Sequence, residues 1–344
     1  MKKRFLVVNV NWLGDVVFST PIFRAIKEHD PDCHLACLAV PRVKEVLECC
    51  PFLDEVILYD ERGKDRGLFP KLRLIWQLRT GKFDAVFLLH RSWTRSLLVF
   101  LAGIPRRVGY PDKGRGWLLT DRISRSLRPM HRSDQYLKII EDFGIAVRDR
   151  HYQLNVDETA KMAVQSILRQ QQITDRERLI VIHPGGNWDL KRWPVAHYRD
   201  LISQLTAESY FVILTGAKKE QTLVEQIVKD LPQSPLVLTG KISLKETIAL
   251  MQQAKLVISG DSGPLHLASA VGTRTIGIFG PTRPELTGAR GMGEATVLQR
   301  DVGCNRASCY YLDCPDNVCM QAIKPADVLM QVRKFVGQQA RSNV

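Results

Sequence analysis

Two separate series of alternating strand and helix patterns run along these 344 residues, and that repetition limits the architecture more than any other feature. In the first series a continuous β-rich run at 5–10 leads into 15–27, where Val16, Val17, Thr20, Ile22, Phe23 and Ile26 form a helical apolar stripe. Strand patterns follow at 34–39, 55–59 and 85–89, with helical patterns at 43–49 and 72–79 between them. A polar helix at 158–171 precedes the restart. Strands at 179–183, 210–215, 236–238, 256–259 and 275–279 then alternate with helices at 195–207, 220–229, 244–253 and 264–271. Short β-runs separated by helices predict a doubly wound, mostly parallel sheet. Two complete series predict an α/β chain of two Rossmann-like domains facing each other, at 1–160 and 161–325, with the boundary inside 150–178. A last helix, 326–344, is expected to pack back on the first domain.

The length suffices for two hydrophobic cores. A content of 45% hydrophobic and 25% charged residues excludes a disordered chain. The best candidate for a membrane span, 97–104, is far too short and lies among arginines. The start, Met1-Lys2-Lys3-Arg4, is like that of a secretory signal. The apolar stretch after it holds Asn9, Asn11, Gly14 and Asp15 and lacks a small-residue cleavage site, so it reads as a first strand and a cytoplasmic protein is expected. The net charge of +13 is uneven: residues 1–172 carry 29 Lys and Arg against 20 Asp and Glu. Between Arg91 and Arg132 ten basic residues meet two acidic ones. Such a field either attracts a polyanion or is a solvated basic face. No helix-turn-helix, zinc-finger or stacked-aromatic pattern accompanies it, so nucleic acid is not an expected partner.

Ligands of doubly wound sheets bind at the carboxyl ends of strands, and the motifs lie there. Asn11-Trp12-Leu13-Gly14-Asp15 joins the first strand to the first helix. Asp15 reads either as an N-cap or as a carboxylate presented at the strand end. A single glycine there is not the dinucleotide fingerprint. His183-Pro184-Gly185-Gly186-Asn187 is a small-residue loop after a strand, followed by Lys191-Arg192-Trp193-Pro194. Loop amides, a lysine and a helix start together suit a diphosphate; a plain turn beside a surface cation pair is the rival. In Ser259-Gly260-Asp261-Ser262-Gly263-Pro264-Leu265-His266, Asp261 or Ser262 caps a helix whose amides at 262–264 point outward, and His266 lies on its first turn. Phe279-Gly280-Pro281-Thr282 ends a further strand beside the same crevice. Cys304, Cys309, Cys314 and Cys319 are spaced by four residues each. They read as reduced thiols or, less well matched to the usual paired spacing, as a structural metal site.

Taken in order, these motifs and Ala102-Gly103-Ile104-Pro105-Arg106-Arg107-Val108-Gly109-Tyr110 resemble the lipopolysaccharide heptosyltransferases, glycosyltransferase family 9, along nearly the whole chain. The Pro-Gly loop and the Lys-Arg-Trp-Pro string are more similar to its type II members than to types I or III. The resemblance implies a GT-B fold, with the first domain binding the acceptor and the second the donor. It implies an inverting transfer of heptose from ADP-heptose to the anionic inner core of lipopolysaccharide, with no cofactor and no catalytic metal. Asp15 would be the general base. Gly185, Gly186, Asn187, Lys191, Asp261, Ser262, Gly263 and His266 would hold the donor, and Ile242 would pack on its adenine. Where some type I relatives carry a ribose-binding glutamate, this chain has Lys218, with Glu220 two residues on. Arg91, Arg106 and Arg107 are the acceptor candidates, and peripheral contact with the inner membrane surface is expected. The alternatives are a GT-B transferase or epimerase using another nucleotide sugar, and a polyanion-binding protein without catalysis.

Overall fold

A computed structural model describes residues 2–304, 309 and 314–337. The chain divides into two compact units, Met1–Leu154 and Asn155–Val344. In the first, β1 (Arg4–Val8), α1 (Leu13–His29), β2 (His34–Ala39), α2 (Lys44–Glu48), β3 (Glu55–Leu58), α3 (Leu68–Thr80) and β4 (Ala85–Leu88) follow the expected alternation. The continuation was not anticipated: α4 (Trp93–Leu101), β5 (Arg106–Gly109), β6 (Asp121–Arg122) and α5 (Arg132–Glu141) complete a six-stranded sheet. Its order is β3-β2-β1-β4-β5-β6, and every pairing is parallel.

The second unit opens with α6 (Glu158–Gln170) and continues β7 (Leu179–His183), α7 (Val195–Ala207), β8 (Phe211–Leu214), α8 (Gln221–Val228) and β9 (Leu236–Val237). Next come α9 (Leu244–Gln253), β10 (Leu256–Gly260), α10 (Gly263–Ala270), β11 (Arg274–Ile278), α11 (Pro284–Thr287) and β12 (Ala295–Leu298). The order β12-β11-β10-β7-β8-β9 repeats the topology of the first sheet, again all parallel. Both are Rossmann-like sheets. Every residue of β4, β7 and β10 is buried, as expected of strands covered by helices on both faces.

The unit ends with α12 (Val318–Gln321) and α13 (Pro325–Gly337). Sequence reading sent the last helix, 326–344, back to the first domain. Instead Val328, Leu329, Val332 and Phe335 lie in the second unit's own core with Ile202, Leu205 and Ile276. The apolar stripe of α13 therefore completes the sheet it follows; residues 338–344 of that expectation lie outside the described residues. Trp193 is fully buried in the same core, and its indole N–H donates to the Ile323 carbonyl (2.8 Å), so the Lys-Arg-Trp-Pro string is anchored through its tryptophan.

Each sheet has one place where strand order reverses, between β1 and β4 and between β7 and β10. In the first unit a buried polar network shapes that place. Arg95, 1% exposed, donates to the Asn9 carbonyl (2.9 Å) and to Asn11 Oδ1 (3.0 Å). A guanidinium can only donate, so the Asn11 amide group must turn its N–H₂ toward His90 Nε2, 3.2 Å away. His90 then accepts at Nε2 as a neutral imidazole. Burial, followed by the charges of Arg95 and Arg115, pushes its pKa down to about 3. Arg115, wholly buried, donates to the His90 and Tyr110 carbonyls and lines the loop from beneath.

A stability test follows. The unfolded chain protonates His90 near its ordinary value of 6.5 and the folded chain only near 3, so the unfolded state binds the extra proton between the two. Stability from this group is present above pH 6.5 and is lost as pH falls, with a slope of about 1.4 kcal/mol per pH unit. Urea unfolding at several values from roughly pH 4 to 7 should give a shallower acid slope for His90→Gln than for wild type; parallel slopes would refute the neutral, half-buried imidazole.

Candidate functional site

The first crevice is built on the β1–α1 connection. The helix begins at Leu13 with Trp12 as its N-cap, and no side chain caps it. Asp15 is thus inside the first turn, not the N-cap that one sequence reading made it. Its carboxylate is part-exposed, and Oδ1 accepts from the Tyr136 hydroxyl at 2.9 Å, with Arg132 Nε 3.6 Å away. Burial and the neighbouring Asp15 raise the Tyr136 pKa well above its ordinary value, so the phenol stays protonated and donates. Helix α5 supplies both partners, and neither was singled out from sequence. The signal was present: Ser133, Tyr136, Leu137 and Ile140, all buried, stand at i, i+3, i+4 and i+7.

Of the three arginines expected at this end, only Arg91 lies here. It flanks Asp112 (3.3 Å) at the edge of a cavity of about 210 Å³ also lined by Tyr110, Arg125, Arg128, Met130 and Gln135. Gln135 immediately precedes Tyr136, and its carbonyl accepts from the Tyr110 hydroxyl (2.8 Å). Arg125 grips Asp112 through Nε and Nη2 (3.0 and 2.7 Å). Arg106 and Arg107 must be removed from the acceptor candidates. They open β5, at the amino edge of a parallel sheet whose crevice is at the carboxyl edge. Arg106 pairs with Asp121 and covers Phe143; Arg107 donates to the Leu118 and Ile104 carbonyls and covers Phe100.

The second crevice gathers nearly all the residues expected to hold a donor. Lys191 Nζ lies 2.6 Å from Asp261 Oδ2, and the Thr282 hydroxyl donates to the same oxygen at 2.7 Å. His266 Nε2 is 3.9 Å from Asp261 Oδ1. Asp261 and His266 are buried, whereas the lysine is partly open and lies over the Trp188 ring. Asp261 therefore orients cationic and hydroxyl groups; its own charge could not face a phosphate. Gly260 sits in a close approach, since a Cβ there would stand 3.0 Å from the Lys191 carbonyl.

Ser262 is the N-cap residue of α10, but its hydroxyl turns to Ser259 Oγ (2.9 Å) instead of capping. Pro264 has no N–H and the Leu265 amide bonds the Ser262 carbonyl, which narrows the outward amides of the expected 262–264 set to those of Ser262 and Gly263 among the described residues. Gly185 abuts the buried Glu220, whose carboxylate a Cβ would strike. Glu220 Oε2 accepts from the Ala217 amide (2.7 Å) and stands 3.7 Å from His183 Nε2. Burial lowers the His183 pKa against the pull of that carboxylate. Asn187 is held by Lys219 (2.9 Å), and Ile242 is half-buried in the β9–α9 connection.

One reading of the spacing of Cys304, Cys309, Cys314 and Cys319 was a structural metal site. All eight cysteines are free thiols, and among the described residues no three His, Cys, Asp or Glu side chains are placed to hold a metal ion. Cys309 instead donates its amide to the Pro281 carbonyl (2.9 Å), and Cys319 packs on Gly280. Cys309 and Cys319 thus brace the turn that presents Thr282.

Chemically, one crevice offers a carboxylate held by a phenol and a guanidinium. The other offers a part-exposed lysine and helix-start amides suited to an anion, with the Thr282 hydroxyl committed to the buried Asp261 carboxylate. The family description "Glycosyltransferase family 9 (heptosyltransferase)" matches residues 71–310. Lipopolysaccharide heptosyltransferase 2 of Salmonella typhimurium is 27% identical over 298 residues, covering 83% of this chain and 84% of the relative. The solved ADP-heptose lps heptosyltransferase II of E. coli superposes with a TM-score of 0.82 at 25% identity, over 99% of this chain and 100% of that one. A family 9 glycosyl transferase from Veillonella parvula gives 0.87 at 22% identity, over 98% and 97%. The fold is GT-B, and the chain belongs to glycosyltransferase family 9, the heptosyltransferases.

Proposed function

We propose that this glycosyltransferase moves heptose from ADP-heptose onto an anionic inner-core saccharide of lipopolysaccharide with inversion at the anomeric carbon. The observation that carries this reading is the pairing of Lys191, set by Asp261 and Thr282, with the α10 amides at the second unit's reversal point. A lysine beside free helix-start amides has the chemistry that holds a diphosphate. The names of the relatives supply the sugar and the nucleotide.

In this mechanism the acceptor hydroxyl attacks the anomeric carbon while the bond from that carbon to the diphosphate oxygen breaks. Asp15 takes the hydroxyl proton, and the electron pair of the broken bond leaves on ADP. The Tyr136 hydroxyl and Arg132 keep the Asp15 carboxylate oriented. Proton removal of this kind contributes about 10²–10⁴ in rate. Lys191 and the amides of Ser262 and Gly263 meet the charge that grows on the leaving group. Donors already aimed at that charge act most strongly where water is scarce. The second unit is the donor half, with Gly185 and Gly186 giving the diphosphate close access and Ile242 beside the adenine; the first is the acceptor half. In it Arg91, Arg125 and Arg128, around their cavity next to Gln135, are the subsite for an acidic sugar or phosphate. The acceptor is lipid-linked, so the reading places the protein at the cytoplasmic surface of the inner membrane. Among the described residues no helix is long and apolar enough to cross it.

Two substitutions separate the roles. Asp15→Asn keeps shape and should retain ADP affinity while turnover falls by about 10²-fold or more; turnover within a few fold of wild type would take the base role from Asp15. Lys191→Ala should weaken ADP itself by about tenfold or more, the scale of a lost charge-assisted hydrogen bond to phosphate. Unchanged ADP affinity in calorimetry would contradict the diphosphate assignment.

A further inference from the structure

Helix α3 has two apolar faces, and the fold uses only one. Leu74 and Leu78 are buried against the first sheet. Leu68, Leu72 and Trp76, at i, i+4 and i+8, form a second row with Phe69 beside it. That row is exposed: Phe69 is 84% accessible and Trp76 67%. A soluble helix ordinarily spends such a face on polar residues, and a clustered apolar row in solvent marks an interaction surface. The surrounding charge has one sign. From Arg62 to Lys82 there are seven basic residues and a single acidic one, Asp65, and the helix itself carries Lys71, Arg73 and Arg79 with no carboxylate. The Arg79 guanidinium reaches the Leu101 carbonyl (3.4 Å), next to the exposed Phe100, Trp93 and Trp117 of a further aromatic cluster.

We infer that α3 is a docking element that lies in the surface of an anionic phospholipid bilayer. Leu68, Phe69, Leu72 and Trp76 enter the acyl boundary, and Lys64, Arg66 and Arg73 meet the headgroups. An exposed row of aromatic and leucine residues flanked by lysine and arginine has the chemistry such a surface selects. Charge complementarity favours anionic lipid over a second copy of this basic chain. The position is apt as well. The loop entering α3 is tied by Glu61 to Arg95 (3.7 Å), which also holds Asn9 and Asn11 at the turn that carries Asp15. The helix therefore starts at the carboxyl edge of the sheet, on the rim of the crevice that contains the proposed base. The inference rests on the reading that the acceptor is lipid-linked, but its test does not use turnover.

The full chain should float with vesicles of phosphatidylethanolamine containing phosphatidylglycerol, and not with phosphatidylcholine vesicles. Replacing Phe69→Ser with Trp76→Ser, or Arg66→Gln with Arg73→Gln, should each weaken vesicle binding by about tenfold or more. These side chains are exposed, so thermal midpoints should hardly move. Brominated lipid should quench wild-type tryptophan fluorescence more than that of the Trp76 variant. Equal binding by wild type and both variants would overturn the proposal. So would equal binding to neutral vesicles, or a wild-type dimer in sedimentation that dissociates in the apolar variant. Turnover on a delipidated, water-soluble acceptor should be unchanged in these variants. If wild type fails to turn over that acceptor while still binding vesicles, the transferase reading falls and the docking face stands.

Discussion

A parallel sheet wrapped by helices on both faces leaves one natural opening, the point where neighbouring connections leave in opposite directions. The rest of this structure depends on that constraint. Both units have the same strand order, and in both the chemically suggestive residues stand at the reversal, after β1 and β4 in one and after β7 and β10 in the other. Strands buried on every side hold these loops at fixed distances. The glycines at 185 and 260 then let backbone and side chains approach more closely than a Cβ would ordinarily permit.

Electrostatics differentiates two otherwise similar openings. In the first, the positive charges of Arg95 and Arg115 are buried beneath the loop, His90 is kept neutral, and the carboxylate of Asp15 is held at the surface by a phenol that burial keeps protonated. In the second the polarity is reversed: the carboxylate of Asp261 lies inside, and the lysine it orients is the more open partner. A buried carboxylate holding a part-exposed cation makes a preorganised anion site, because the cation is placed before a ligand arrives. Thr282 joins the same oxygen, and the Cys309 amide supports its turn through the Pro281 carbonyl.

Much of this was legible in the sequence because periodicity reports burial. The runs 179–183 and 256–259 read directly as strands, and in the loops after them the coincidence of glycine, lysine and a helix start favoured an anion site over a plain turn. What failed failed for physical reasons. Between residues 91 and 132 the fold uses a four-residue and a two-residue strand, fixed by pairing rather than by pattern, amid a dense run of arginines. The charge run also blurred which arginines face a ligand. Arg106 and Arg107 begin a strand and so point to the wrong edge, a distinction that charge counting cannot make. Tyr136 was missed although its helix was periodic, because its role depends on a contact 121 positions away. The last helix was misplaced because an apolar stripe states that it is buried, not against what.

The central claim is that the chain transfers heptose from an ADP-linked donor. The most direct measurement incubates the purified protein with ADP-heptose and a defined, truncated inner-core acceptor and follows both ADP and acceptor mass, with UDP- and GDP-sugars in parallel. The account predicts one ADP released for each acceptor that gains a single heptosyl residue, and inverted anomeric configuration in the product. Nucleotide released without acceptor gain, or transfer from a UDP- or GDP-sugar in preference, would contradict it.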